Sequence, residues 1–226
     1  MFCLLLTCAA GQVANFVRCE SGAPEFYWSM TGASWFPSVS VGVLVDAGPD
    51  SGCRDICFSP DLNLWVATGI RHTDVTKSIA SSPDGKLWSL VAGANNVLAG
   101  REGRACGWGG DKFLVAGLGG KFAFSYDGVS WTPGTTASVT AFNGIAYSKQ
   151  QSIWVAAVLS DGNGALAVSS DGISNWVVVV TPPQVTPGYM ADILWSVLNN
   201  AWVAIGSPGG AGPASLFHSS SSPALI

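Results

Sequence analysis

The sequence predicts an all-β fold, a β-propeller of about five four-stranded blades, and three observations carry that expectation. A short phrase ending in Trp recurs along the chain. Its Trp residues, at 35, 88, 131 and 176, stand 53, 43 and 45 residues apart, a period that belongs to repeat arrays and propellers. A second phrase, two short apolar runs separated by turn residues, precedes each of the later copies. Finally, 28 of 226 residues are Gly, and no stretch keeps a helical period between caps.

The elements follow in order. Asp55-Ile56-Cys57-Phe58-Ser59 precedes Leu64-Trp65-Val66-Ala67-Thr68-Gly69, with Pro60-Asp61-Leu62-Asn63 between them. Arg104-Ala105-Cys106-Gly107-Trp108 precedes Phe113-Leu114-Val115-Ala116-Gly117 across Gly109-Gly110-Asp111. Gly144 to Ser148 precedes Ile153 to Ala157, and Asp192 to Ser196 precedes Ala201 to Gly206. Such β-branched and aromatic runs, cut by turn residues, read as hairpins. In the second repeat the strands are expected near 55–59, 64–69, 77–82 and 87–91. The units are expected over 1–40, 53–93, 103–134, 143–181 and 190–226 of a single domain, with the first and last incomplete and the first lacking its innermost strand; the expectation is either a five-bladed ring with irregular edges or a fragment of a longer ring.

The opening Met1-Phe2-Cys3-Leu4-Leu5-Leu6-Thr7-Cys8-Ala9-Ala10 has the apolar run of a signal peptide but no basic start. It also resembles Leu64 to Gly69, and the strand reading is the one adopted. No apolar run approaches the ~20 residues of a membrane span.

Composition narrows the function. Charged residues are 11% of the chain and the net charge is −4. With no basic cluster, nucleic acid is not an expected partner. The six Cys, at 3, 8, 19, 53, 57 and 106, form no Cys-x-x-Cys pair, and His occurs only at 72 and 218. No metal site and no cofactor are expected. The even count permits disulfides, but buried free thiols are the simpler expectation.

The Trp phrase has three good copies. They are Ser82-Pro83-Asp84-Gly85-Lys86-Leu87-Trp88, Ser125-Tyr126-Asp127-Gly128-Val129-Ser130-Trp131, and Ser169-Ser170-Asp171-Gly172-Ile173-Ser174-Asn175-Trp176. A worn copy runs from Ser29 to Trp35. The phrase resembles the Asp box, or BNR repeat, of sialidase-like propellers, which recurs in photosystem II assembly factor-like proteins and sorting-receptor propellers. The resemblance implies a structural hairpin between the third and fourth strands. In that hairpin Asp accepts turn N–H groups, Gly supplies positive φ, and Trp is buried.

Sialidases also carry an Arg-Ile-Pro motif, an arginine triad and a Tyr–Glu nucleophile. This chain has no Arg-Ile-Pro, and Glu occurs only at 20, 25 and 102. No catalytic residue is assigned, and no sialidase turnover is expected. The expected ligand face is built from loops that carry Arg54, Arg71, His72, Asp74, Arg101-Glu102, Arg104, Asp161 and Tyr189. Arg54 and Arg104 stand at corresponding places before adjacent inner strands, where solvated loop charge is the plain reading. The expected function is a non-catalytic binding or scaffold module with a protein or glycan ligand. The alternatives are a lectin-like propeller and a degenerate glycosidase. An extracellular, cell-surface or virion setting is favoured.

Overall fold

A computed structural model describes residues 2–6, 16–20, 26–40, 44, 51–71, 73–180, 188–208 and 215–218. They form five sheets in chain order, antiparallel but for one short strand at the edge of the second. The first contains β1 (Phe2–Leu6), β2 (Phe16–Glu20), β3 (Phe26–Ser29) and β4 (Phe36–Pro37). A short strand, β5 (Val39–Ser40), then crosses to the second sheet. That sheet contains β6 (Gly52–Ser59), β7 (Leu64–Ile70), β8 (Ile79–Ser82) and β9 (Leu87–Leu90), and β5 pairs with β9 in parallel. The crossing strand covers an edge that would otherwise present unpaired N–H and C=O groups.

The third sheet holds β10 (Gly103–Trp108), β11 (Phe113–Gly117), β12 (Lys121–Ser125) and β13 (Thr132–Thr135). The fourth holds β14 (Ala141–Ser148), β15 (Ile153–Ser160), β16 (Asn163–Ser169) and β17 (Val177–Val180). The fifth contains β18 (Gly188–Ser196), β19 (Ala201–Pro208) and β20 (Ser215–His218). A 3-10 turn at Ala92–Ala94 is the one helical element among the described residues. Among these residues no helix is long and apolar enough to cross a membrane.

Each sheet packs face to face on the next, and β1, β6, β10, β14 and β18 lie side by side as the inner strands. One apolar cluster fills each gap. Between the first two sheets it contains Val17, Phe26, Trp65, Ala67 and Trp88; between the third and fourth, Leu114, Phe122, Trp154, Ala156 and Trp176. All five residues of β11 are buried, so that strand is a continuous apolar run without alternation.

Two expectations are corrected. The first unit does not lack its inner strand, because β1 is that strand. Phe16 pairs with Ser29 as Trp65 pairs with Ser82, so Phe16–Glu20 is the counterpart of Leu64–Ile70. The run at Leu4 to Leu6 is apolar as Leu64 to Gly69 is, yet it pairs as the inner strand, with Leu4 opposite Arg18 of β2. The cysteines, second, are not all free thiols. Cys19 is bonded to Cys53 and Cys57 to Cys106, with Cα separations of 5.9 and 5.5 Å, inside the usual range for a disulfide. Both bonds join neighbouring sheets, from β2 to β6 and from β6 to β10.

The Trp phrases form the hairpins between third and fourth strands. In the copy at 125–131, Ser125 Oγ accepts the Gly128 N–H at 2.8 Å, and Asp127 Oδ1 accepts the N–H groups of Val129 and Ser130 at 2.8 and 2.7 Å. Trp131 Nε1 donates to Gly128 O at 3.2 Å. Gly128 has φ +73°, and a Cβ there would strike Leu64 of the preceding sheet; no other residue satisfies both demands. The copies at 82–88 and 169–176 repeat these bonds. In the worn copy the Thr31 hydroxyl takes only the Ala33 N–H, although Trp35 Nε1 still donates to Gly32 O. Trp88, Trp131 and Trp176 are all buried.

Candidate functional site

Four inner strands share one irregularity. In β6 the register shifts between Cys53 and Asp55, leaving Arg54 as the extra residue. In β10 the shift leaves Arg104, in β14 Asn143, and in β18 Ala191. A bulge re-aims the unpaired side chain and bends its strand. All four bulge residues line one cleft of about 690 Å³, together with Ile70, Glu102, Leu118, Ala141, Leu159 and Tyr189. Ile70, Leu118 and Leu159 come from the ends of the second strands. The cleft thus has an aliphatic wall and a polar rim, the usual composition of a small-ligand or side-chain pocket.

The rim is built around Glu102. Arg54 Nε donates to its Oε1, and Arg104 Nε to its Oε2 at 2.9 Å. Arg104 Nη1 donates to Asn143 Oδ1 at 3.2 Å, and Asn143 Nδ2 to Met190 O at 2.8 Å. One hydrogen-bonded row therefore crosses four sheets. The Glu102 side chain is 10% exposed, against 25% for Arg54 and 39% for Arg104. The carboxylate is thus the buried centre, and Arg104 the partner that reaches solvent. Two guanidinium groups and one carboxylate leave the cluster with one net positive charge.

The strands are pinned directly below the bulges. Asp55 Oδ1 accepts the Ile56 N–H, and Oδ2 accepts the Cys106 N–H of the next sheet, each at 2.8 Å. Asp192, at the same place after its bulge, accepts the Ile193 N–H at 2.8 Å. Burial pushes the Asp192 carboxyl above the ordinary carboxylate range, and the single N–H offsets it only in part.

Of the residues expected on the ligand face, Arg54, Arg104, Tyr189 and Glu102 come together in this cleft. Arg54 and Arg104 are not merely solvated loop charges; they converge on one carboxylate. Tyr189 is 52% exposed at the rim. Arg71, Asp74 and Asp161 are not among its lining residues. Asp74 closes a turn, accepting the Thr76 hydroxyl and N–H at 2.5 and 3.2 Å. Asp161, at φ +48°, and Gly162, at φ +78°, form the two-residue turn between β15 and β16, the positive-φ pair that such hairpins require. His72 lies outside the described residues. Sequence reading missed Asn143, Ala191 and the aliphatic wall. Their common signal is structural: each Asn or Ala occupies the bulge that holds Arg in another sheet.

No protein-family model matches the chain, and no curated protein matches it. Solved structures do. The GH74 enzyme of Niastella koreensis aligns over 99% of this chain and 30% of its own, at 19% identity and a TM-score of 0.56. YCF48 bound to D1 peptide aligns over 89% of this chain and 61% of its own, at 20% identity and a TM-score of 0.56. Virginiamycin B lyase of Staphylococcus aureus aligns over 96% of this chain and 69% of its own, at 9% identity and a TM-score of 0.64. The chain therefore spans under a third of the first of these and about three fifths of the second. At such identities the likeness shows the fold, which is β-propeller-like.

Proposed function

We propose that the chain is a non-catalytic binding module of Asp-box type, with the bulge-lined cleft as its ligand site. The observation that carries this reading is the delivery of Arg54, Arg104, Asn143 and Ala191 to one cleft by four equivalent bulges. Repeated bulges cost four sheets their regular ladder, and what they produce in common is the floor of that cleft. The favoured ligand is a peptide segment. An apolar side chain would lie against Ile70, Leu118 and Leu159, and its flanking carbonyl groups would meet Arg104 and the Tyr189 hydroxyl. A peptide-bound neighbour of the same fold, YCF48 with D1 peptide, is in keeping with this choice. The aliphatic wall, with Tyr189 as its single aromatic, favours peptide over sugar. The Asp-box hairpins are structural in this reading, since their carboxylates are engaged by turn N–H groups. Two inter-sheet disulfides favour an oxidising compartment.

A peptide array paired with a glycan array tests the reading. Peptides carrying an aliphatic residue are expected to bind, and Ala191→Trp, which fills the floor, is expected to abolish that binding without lowering the melting temperature. Binding that survives Ala191→Trp places the ligand elsewhere. Retention on glycans alone favours the lectin reading.

A further inference from the structure

Three sheets close the turn between inner and second strand in the same way. The Ser that ends the inner strand accepts, through its hydroxyl, the N–H three residues on: Ser59 from Leu62 at 3.1 Å, Ser148 from Gln151 at 3.2 Å and Ser196 from Asn199 at 3.3 Å. The residue before the second strand then has positive φ, at Asn63, Ser152 and Asn200. These bonds make no demand on the two side chains that follow the Ser. They are Pro60-Asp61 in the second sheet, Lys149-Gln150 in the fourth and Val197-Leu198 in the fifth.

All six side chains are exposed. The second and fourth sheets each have another sheet packed after them, so the exposure belongs to the position in the turn and not to the place of a sheet in the chain. Of the three turns, only that of the fifth sheet puts two aliphatic side chains at these positions. Val197 is 67% exposed, and Leu198, at 98%, is the most exposed large hydrophobic among the described residues. A single exposed Leu is ordinary. Here two adjacent aliphatics stand on a bonded tip whose counterparts carry a charge or an amide, and the bonds of the turn use neither.

The tip has the form that the cleft accepts. The cleft offers the aliphatic wall of Ile70, Leu118 and Leu159 to a side chain, and Arg104 and Tyr189 to the carbonyl groups beside it. Leu198 is such a side chain on exposed backbone. It does not reach the cleft of its own molecule, because bulges and turns stand at opposite ends of the inner strands; β18 carries the chain about 20 Å from Ala191 to Val197. We propose that the Val197-Leu198 tip of one copy docks in the cleft of a second copy of this chain, with Leu198 against the aliphatic wall and the turn carbonyls on Arg104. The inference rests on the reading of the cleft as a peptide site. Tip and cleft are different surfaces at opposite ends of the molecule, so the contact is heterologous and adds copies head to tail.

The test is sedimentation-equilibrium mass as a function of concentration, with two variants that each spoil one side. Val197→Lys with Leu198→Gln copies the turn of the fourth sheet and leaves the cleft intact; Ala191→Trp fills the cleft and leaves the tip intact. Wild type is expected to rise from monomer through dimer to larger species. Each variant alone stays monomeric, and an equimolar mixture recovers a one-to-one dimer that grows no further, since only one intact junction remains. Tyr189→Ala, at the half-exposed rim, weakens association several-fold and covers the case in which Ala191→Trp fails to fold. A wild type that stays monomeric at all concentrations, a tip variant that still associates, or a mixture that remains monomeric overturns the proposal. If aliphatic peptides still bind the wild-type cleft in that case, the docking alone has failed; if they do not, the reading of the cleft has failed with it.

Discussion

Arg54 and Arg104, on the inner strands of adjacent sheets, hold opposite oxygens of the same carboxylate, Glu102. That arrangement gives Glu102 two roles. It neutralises one of two like charges brought close by neighbouring bulges, and it fixes the direction in which each guanidinium fork points.

Replacing Glu102 by Gln is accordingly expected to destabilise the fold by about 1.5–3 kcal/mol, the range for hydrogen bonds to charged groups. The exposure of Arg104 keeps the figure below that of a fully buried pair. Urea midpoints measure it. Combining the change with Arg54→Met should recover part of the loss, since one of the two repelling charges is then gone. Additive losses in the double variant contradict the shared-carboxylate account.

The hairpin Trp residues are expected to dominate local stability. Trp131 is 7% exposed and packs on Phe113 with ring centroids 6.4 Å apart. Trp131→Ala should cost about 3–5 kcal/mol, as for other large core aromatics. Val129→Ala, on the 61% exposed tip of the same turn, should stay within about 0.5 kcal/mol. Equal losses in urea melts would mean that the turn, and not the buried ring, carries the stability.

Much of this architecture is legible in the sequence because it is local. The box bonds span two or three residues, and the hairpins announce themselves through Pro60 to Asn63 and Gly109 to Asp111. The rest depends on packing between repeats. Nothing near Cys57 marks Cys106 as its partner, because a disulfide across sheets leaves no fixed spacing. Arg54 and Arg104 are visible as equivalents, whereas Asn143 and Ala191 share their bulge without sharing their chemistry. The aliphatic run at Leu4 to Leu6 fits either of two strands until the pairing of Phe16 with Ser29 decides between them.

The two disulfides close loops of 34 and 49 residues. Each is expected to contribute about 2–4 kcal/mol. Cys57→Ser with Cys106→Ser should therefore lower the urea midpoint clearly, and adding reductant to wild type should lower it further, since both bonds are then lost. Wild-type stability that is unmoved by reductant, with free thiols absent under native conditions, would remove the disulfides from the stability account.

Acid should act on the fold in two opposite ways. The N–H groups of Ser130 and Val129 hold the Asp127 carboxyl at about 2. At Asp171 partial burial pushes upward, but the Ser174 hydroxyl and N–H, with Ile173 and Ser169, bring it to about 2 as well. Asp84 is likewise lowered: burial opposes the shift, and the Leu87 and Lys86 N–H groups prevail. These three bind protons less readily folded than unfolded. Their contribution is complete above the unfolded value of about 3.9 and is lost as pH falls from there toward 2. Asp192 runs the other way, because burial raises it. The folded state takes up its proton first, so stability rises as pH falls through the raised value toward 3.9. Urea midpoints from pH 7 to pH 2 should therefore climb gently and then drop. Asp192→Asn should flatten the climb and spare the drop, and Asp127→Asn should reduce the drop and spare the climb. A climb that persists in Asp192→Asn would assign it to another group.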